Sequence, residues 1–200
     1  MRLFAAVRPP AAALDHLEGA LASVGWPGTG PSAPGAVRWT ARENWHVTLA
    51  FYGEVPDGAA EELAAALSET VEMHAVPTVT LRGAGVFAGR TLWVGTGGDT
   101  EGLVALCHGA REAGRDVLGR AEERERVRPH LTVGRQVPVP GGRRRRTSRG
   151  EAEGLAHALA VYSGPAWDAA EVLLVSSQPG RGAGGGPLYE DHASFPVGPY

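Results

Sequence analysis

The stretch NWHVTLAFYGEV, Asn44 to Val55, sets a histidine and a threonine two residues apart at the head of an apolar run. Side chains of a β-strand alternate between its two faces. Read as a strand over 45–53, the stretch sends His46 and Thr48 to one face, with Tyr52 on the same side. Val47, Leu49 and Phe51 take the other, and Trp45 packs with them. One face suits a core, and the other carries imidazole plus hydroxyl. RPHLTVGR, Arg128 to Arg135, repeats the pattern, with His130 and Thr132 opposed to Leu131 and Val133. Pro129 fits only the start of a strand, so His130 stands near its entry, as His46 does in its own. Arg135 lies an odd number of residues from His130 and reaches the same face only through a bend or bulge, which Gly134 allows.

The triplet alone is a weak signal. Seven histidines and eleven threonines in 200 residues give roughly 0.4 chance H-x-T matches. HAS, His192 to Ser194, is a decoy of the same kind in the terminal strand. The matched context of 46–49 and 130–133 is what separates those two copies from it. A neutral imidazole takes a proton from water and an imidazolium gives one to a leaving oxygen, and both forms exist near neutral pH. Hydroxyls beside the rings can donate to the nonbridging oxygens of a phosphate, where charge builds. A strained cyclic phosphodiester needs no metal for this. HExxH, H-x-x-x-H and nearby carboxylate clusters are all missing, so no metal and no cofactor is expected.

Composition narrows the chemistry further. Hydrophobic residues make up 43% and charged residues 20%, with a net charge of −3, which suits a soluble globular chain whose phosphate contacts come from a local patch. All 19 basic residues are arginine. A Walker A loop, a lysine Schiff base and a lysine–adenylate intermediate are therefore excluded. Cys107 is the single cysteine and sits in an apolar run, as a buried inert thiol. Arg8 and two prolines interrupt the apolar N-terminus, and no run approaches a membrane span. We expect a monomer in the cytoplasm.

Along the chain, 2–8 reads as a strand and the apolar spacing Leu14, Leu17, Leu21 as a helix that Pro10 opens. Residues 25–36 form a Gly/Pro loop, and Asp57 is the expected N-cap of a helix over 58–73. Strands follow at 77–87 and 91–95, then a helix over roughly 100–120 and the second histidine strand over 130–136. A short helix is expected over 151–164, with strands over 169–177 and from Pro187 to Val197. Strands and helices mix without βαβ alternation, which is α+β, and the order hints at an internal duplication.

Taken together, RLFAAVRPP, VRWTARENWHVTLAFYGEV, LRGAGVF with LWVG, RPHLTVGR and VLLVSSQPGRGAGGGPLYEDHASFPV resemble, in order and spacing, the bacterial and archaeal RNA 2′,3′-cyclic phosphodiesterases. These are also called 2′-5′ RNA ligases, of the two-histidine phosphoesterase superfamily. The resemblance covers nearly the whole chain, 1–200. It implies a single bilobal α+β domain with pseudo-twofold symmetry, antiparallel sheets lining a central cleft and helices outside. It implies hydrolysis of RNA 2′,3′-cyclic phosphate ends, such as those of tRNA fragments, to 2′-phosphomonoesters. His46 would be the proton donor and His130 the acceptor, with Thr48, Thr132 and Arg135 holding the phosphate. Tyr52, which alternation puts on the site face, reads either as flanking a base or as a surface tyrosine. The two halves look too alike for the residues alone to assign donor and acceptor. If a 5′-hydroxyl attacked in place of water, the same site would join RNA ends without ATP. An RNA-end-binding module, or a phosphodiesterase for a small cyclic nucleotide or 2′-5′ oligonucleotide, are the competing readings. The arginine-dense stretch 138–150 reads either as an RNA-backbone contact or as a solvated loop, and GRGAGGG as a flexible turn.

Overall fold

A computed structural model describes residues 1–26, 35–119, 127–138, 150–182 and 185–199. The arginine run Arg143 to Arg146 lies outside them, as does part of the GRGAGGG stretch. The elements are β1 (Arg2–Val7), α1 (Ala11–Ser23), β2 (Val37–Trp39), a 3-10 turn (Arg42–Asn44), β3 (Val47–Glu54), α2 (Asp57–Glu72), β4 (Thr78–Phe87) and β5 (Thr91–Gly98). They continue with α3 (Thr100–Leu118), β6 (His130–Gln136), α4 (Glu151–Ala158), β7 (Ser163–Asp168), β8 (Glu171–Gln178) and β9 (Leu188–Pro196).

The described strands form one nine-stranded sheet in the order β7-β4-β5-β6-β3-β1-β8-β9, with β2 against β6. Every pairing is antiparallel. The fold is thus α+β, and its two lobes join at β3 and β6, the two histidine-motif strands. Helices α2 and α3 pack on the β3 side, while α1 and α4 pack on β7, β4 and β5. In β1, Leu3, Ala5 and Val7 enter the main core under the helices, while Phe4 and Ala6 join Leu173 and Val175 in a smaller cluster on the opposite face. That opposite face is the floor of the cleft.

Local chemistry explains most boundaries. Asp99 caps α3 by accepting from the Gly102 N–H at 2.9 Å, and Gly119 ends it in the left-handed region at φ 65°. The expected helix over 58–73 begins at Asp57 itself. Pro56 holds the capping position, and the Asp57 carboxylate faces the Met1 ammonium at 3.7 Å. The helix expected over 151–164 ends at Ala158, and Ser163 and Gly164 instead open strand β7, a sheet-edge strand where Pro165 is tolerated.

Tyr52 corrects the alternation read from the sequence. It is buried, its hydroxyl donates to the Ala110 carbonyl at 2.9 Å, and its ring rests on α3. It does not face the cleft. Ala5 pairs with Ala50 but Ala6 with Thr48, so Leu49 is an extra residue in β3 and the faces exchange beyond it. Phe51, expected in the core, is instead 39% exposed and opposite Phe4, with the Arg2 guanidinium 4.8 Å above its ring. A Cβ at Gly114 would lie 2.5 Å from the Tyr52 ring. Gly114→Ala should lower stability by about 1–3 kcal/mol, read from the urea-unfolding midpoint; an unchanged midpoint would mean that Tyr52 does not rest on α3.

Candidate active site

The site grows from one backbone pairing. Val47 lies opposite Leu131, and both are fully buried. Continuing that antiparallel register by one residue sets His46 across from Thr132 and Thr48 across from His130. All four side chains are then on the face away from the core. Thr48 is paired with Ala6 of the cleft floor, and Thr132 with Trp93.

Each imidazole is held in the same way. His46 Nδ1 lies 2.8 Å from the Asn44 carbonyl, and His130 Nδ1 lies 2.8 Å from the Arg128 carbonyl. A carbonyl only accepts, so each Nδ1 carries the hydrogen and each Nε2 presents its lone pair or a second proton. The 3-10 turn Arg42–Asn44 provides the Asn44 carbonyl, and His46 stands just before β3 rather than inside it. Trp45 beside it is fully buried and donates from Nε1 to the Thr40 carbonyl at 3.0 Å, as the sequence reading of a packing role expects.

Aromatic rings flank both histidines, and the sequence reading missed them. His46 lies 4.8 Å from Phe4 and 5.3 Å from Tyr189; His130 lies 4.8 Å from Phe87 and 6.1 Å from Trp93. The alternation of β1 would have found Phe4, since Leu3, Ala5 and Val7 are the core face. Nothing local marks Tyr189, which β9 brings in from the far end of the chain. Arg8 was also missed. It holds Asp191 through two hydrogen bonds of 3.0 and 2.9 Å beside His46.

Arg135 reaches the site face by the bulge that its odd spacing requires. Leu92 pairs with Gly134 but Trp93 with Thr132, so Val133 is the extra residue. The two motifs are therefore built alike: histidine, threonine, a bulge at Leu49 or Val133, then an exposed side chain, Phe51 in one and Arg135 in the other. Burial raises the Tyr189 phenol's pKa, and the charges of Arg135 and Arg2 oppose that rise, which puts both guanidiniums close to this ring. His192 is exposed, at a register skip in β9 between Asp191 and Ala193. Among the described residues, no three His, Cys, Asp or Glu side chains gather to hold a metal ion, and no helix is long and apolar enough to cross a membrane.

Burial lowers the His46 pKa from 6.5 to about 4; the bond to Asn44 opposes this, while Arg8 and His130 add to it. The unfolded chain thus binds its proton near 6.5 and the folded chain only near 4, so acidification across that window erodes stability. A bound anion would offset the cationic neighbours. Imidazole NMR should therefore place the His46 midpoint near 4 in the free protein, and inorganic phosphate should move it upward. A midpoint at 6.5, or indifference to phosphate, would refute this electrostatic picture.

Residues 30–144 match the family model of the 2′-5′ RNA ligase superfamily. A protein of Methanothermobacter thermautotrophicus described as RNA 2′,3′-cyclic phosphodiesterase is 32% identical over 120 residues, which cover 57% of this chain and 61% of that one. A Geobacillus stearothermophilus protein of the same description is 32% identical over 102 residues, 49% of this chain and 32% of that one. The chain thus spans less than two thirds of either relative. Among solved structures, a Thermus thermophilus protein aligns over 98% of both chains with a TM-score of 0.71 and 22% identity. E. coli LigT complexed with ATP aligns over 98% of both chains with a TM-score of 0.69 and 22% identity. These two likenesses establish a shared fold.

Proposed function

Since the chain belongs to the 2′-5′ RNA ligase superfamily, we propose that it hydrolyses RNA 2′,3′-cyclic phosphate ends to 2′-phosphomonoesters by proton transfer between His46 and His130. One observation carries the reading: two imidazoles, each fixed through Nδ1 to the carbonyl two residues earlier, with Nε2 as the reacting nitrogen on a face shared with two threonines. The described RNA phosphodiesterase activity of the two curated relatives supports the substrate class.

In this mechanism, water attacks phosphorus while His130 Nε2 takes its proton. The P–O3′ bond breaks as His46 Nε2–H protonates the departing 3′ oxygen, and the 2′ ester survives. The Thr48 and Thr132 hydroxyls and the Arg135 guanidinium donate to the nonbridging oxygens, where charge rises. His46 is mostly neutral in the free protein at neutral pH, given its pKa of about 4. The phosphate's negative charge raises that pKa and supplies the donor form on binding. The donor role of His46 follows the family resemblance. The lowered pKa favours a second reading in which His46 is the base and His130 the acid. With a 5′-hydroxyl in place of water, the same steps form a 2′-5′ linkage without ATP.

The test is to incubate the protein in EDTA with a nucleoside 2′,3′-cyclic phosphate and identify the product. A 2′-phosphate is expected; a 3′-phosphate contradicts the regiochemistry, and no turnover favours an RNA-end-binding module. His46→Ala and His130→Ala should each cost on the order of 10²–10⁴ in kcat with the fold intact by circular dichroism. His192→Ala and Tyr52→Phe should keep the normal rate. Near-normal turnover by either catalytic-site variant would end the two-histidine mechanism.

A further inference from the structure

Beside His130 lies a cavity of about 500 Å³ lined by Arg38, Phe87, Arg90, Arg135, Val137 and Pro138, among others. We propose that its three guanidiniums bind the phosphate on O5′ of the terminal nucleoside, so that the protein prefers a 5′-phosphorylated or chain-linked end to a free nucleoside cyclic phosphate. The inference rests on the RNA-end reading above and adds a second phosphate subsite to it.

Charge is the first argument. Arg38 and Arg135 lie directly opposite each other on β2 and β6, so they share a face. Like charges so placed repel unless something neutralises them. Three other guanidiniums are neutralised: Arg8 by Asp191, Arg42 by Asp15 and Glu18, Arg115 by Glu112 and Asp116. Among the described residues, Arg38, Arg90 and Arg135 have no such partner. Glu151 reaches β2, but there it accepts from the Val37 N–H at 2.9 Å and does not line the cavity. The arrangement is complementary to an anion.

Backbone geometry is the second. Arg90 follows a tight turn in which Ala88 takes φ 49° and Gly89 φ 64°. Positive φ at both central residues is the geometry of a tight β4–β5 hairpin turn. The Arg90 N–H donates to the Phe87 carbonyl at 2.9 Å, and the Arg90 carbonyl accepts from the Gln136 N–H at 2.8 Å. The turn is thereby pinned to β6, next to Arg135.

Position is the third. Phe87 lines the cavity and also meets His130 edge-on at 4.8 Å. One aromatic ring therefore lies between the cavity and His130. In an RNA end with a 2′,3′-cyclic phosphate, one ribose separates that phosphate from the next, on O5′. Arg135 borders both places.

Three substrates test the inference: a nucleoside 2′,3′-cyclic phosphate, the same compound carrying a 5′-phosphate, and a dinucleotide with a cyclic end. In the wild type, kcat/KM for the second and third should exceed the first by roughly tenfold or more, an advantage that shrinks as salt rises. In the double variant Arg38→Gln, Arg90→Gln the advantage should vanish while turnover of the plain nucleoside cyclic phosphate stays normal, which also shows that the variant folds. Gain by the dinucleotide alone would mean that the second nucleoside is recognised, and would overturn the proposal. So would equal rates in the wild type, an advantage kept by the variant, or a variant impaired on all three substrates alike. If the wild type turns over none of them, the underlying function fails, and this inference with it.

Discussion

The pairing of Val47 with Leu131 is the contact on which the site depends. Two buried aliphatic side chains fix the register between the lobes. In that register, each histidine stands across from the threonine of the other motif. A slip of one residue would turn both imidazoles into the core and both aliphatic residues out. The same apolar burial that joins β3 to β6 therefore sets the spacing of the two imidazoles and the two hydroxyls. Around that pair the halves correspond: two helices behind each, two aromatic rings beside each histidine, and a bulge at the residue after each threonine, with β3 carrying a second at Tyr52.

The halves are not electrostatically equal. His46 lies deeper, against Phe4 and Tyr189, with Arg8 and His130 as cationic neighbours, and its pKa falls accordingly. In the proposed mechanism its ring becomes a proton donor only when negative charge enters the cleft, which would couple protonation to substrate binding. The exposed position after each bulge also differs, with Phe51 under Arg2 in one motif and Arg135 beside the basic cavity in the other. Near-symmetry in the backbone thus coexists with a polar end and an aromatic end of the cleft.

Most of the fold was legible because it is written in alternation and apolar spacing: β6 over 130–136, the β4–β5 hairpin and α3 lie where those patterns place them. The limits came from features that break the period. At Arg135 the odd spacing and Gly134 announced a bulge, and β6 has one. At β3 alanine, not glycine, follows the corresponding bulge at Leu49, so unbroken alternation assigned Tyr52 to the cleft and Phe51 to the core, the reverse of what the structure has. Tyr189, Phe87 and the Arg38–Arg90–Arg135 grouping depend on strand order, which local patterns do not encode. Strand β7 hid behind a glycine and a proline that only an edge position tolerates.

The central claim is that two fixed imidazoles divide the proton transfers, with His46 serving the leaving 3′ oxygen. Sulfur in place of that bridging oxygen leaves as a thiolate and needs no proton from the protein. The deciding measurement is turnover of this 3′-thio cyclic substrate by His46→Ala and His130→Ala. On this account His46→Ala regains most of the wild-type rate while His130→Ala stays inactive. Rescue of His130→Ala instead, or of neither variant, would contradict it.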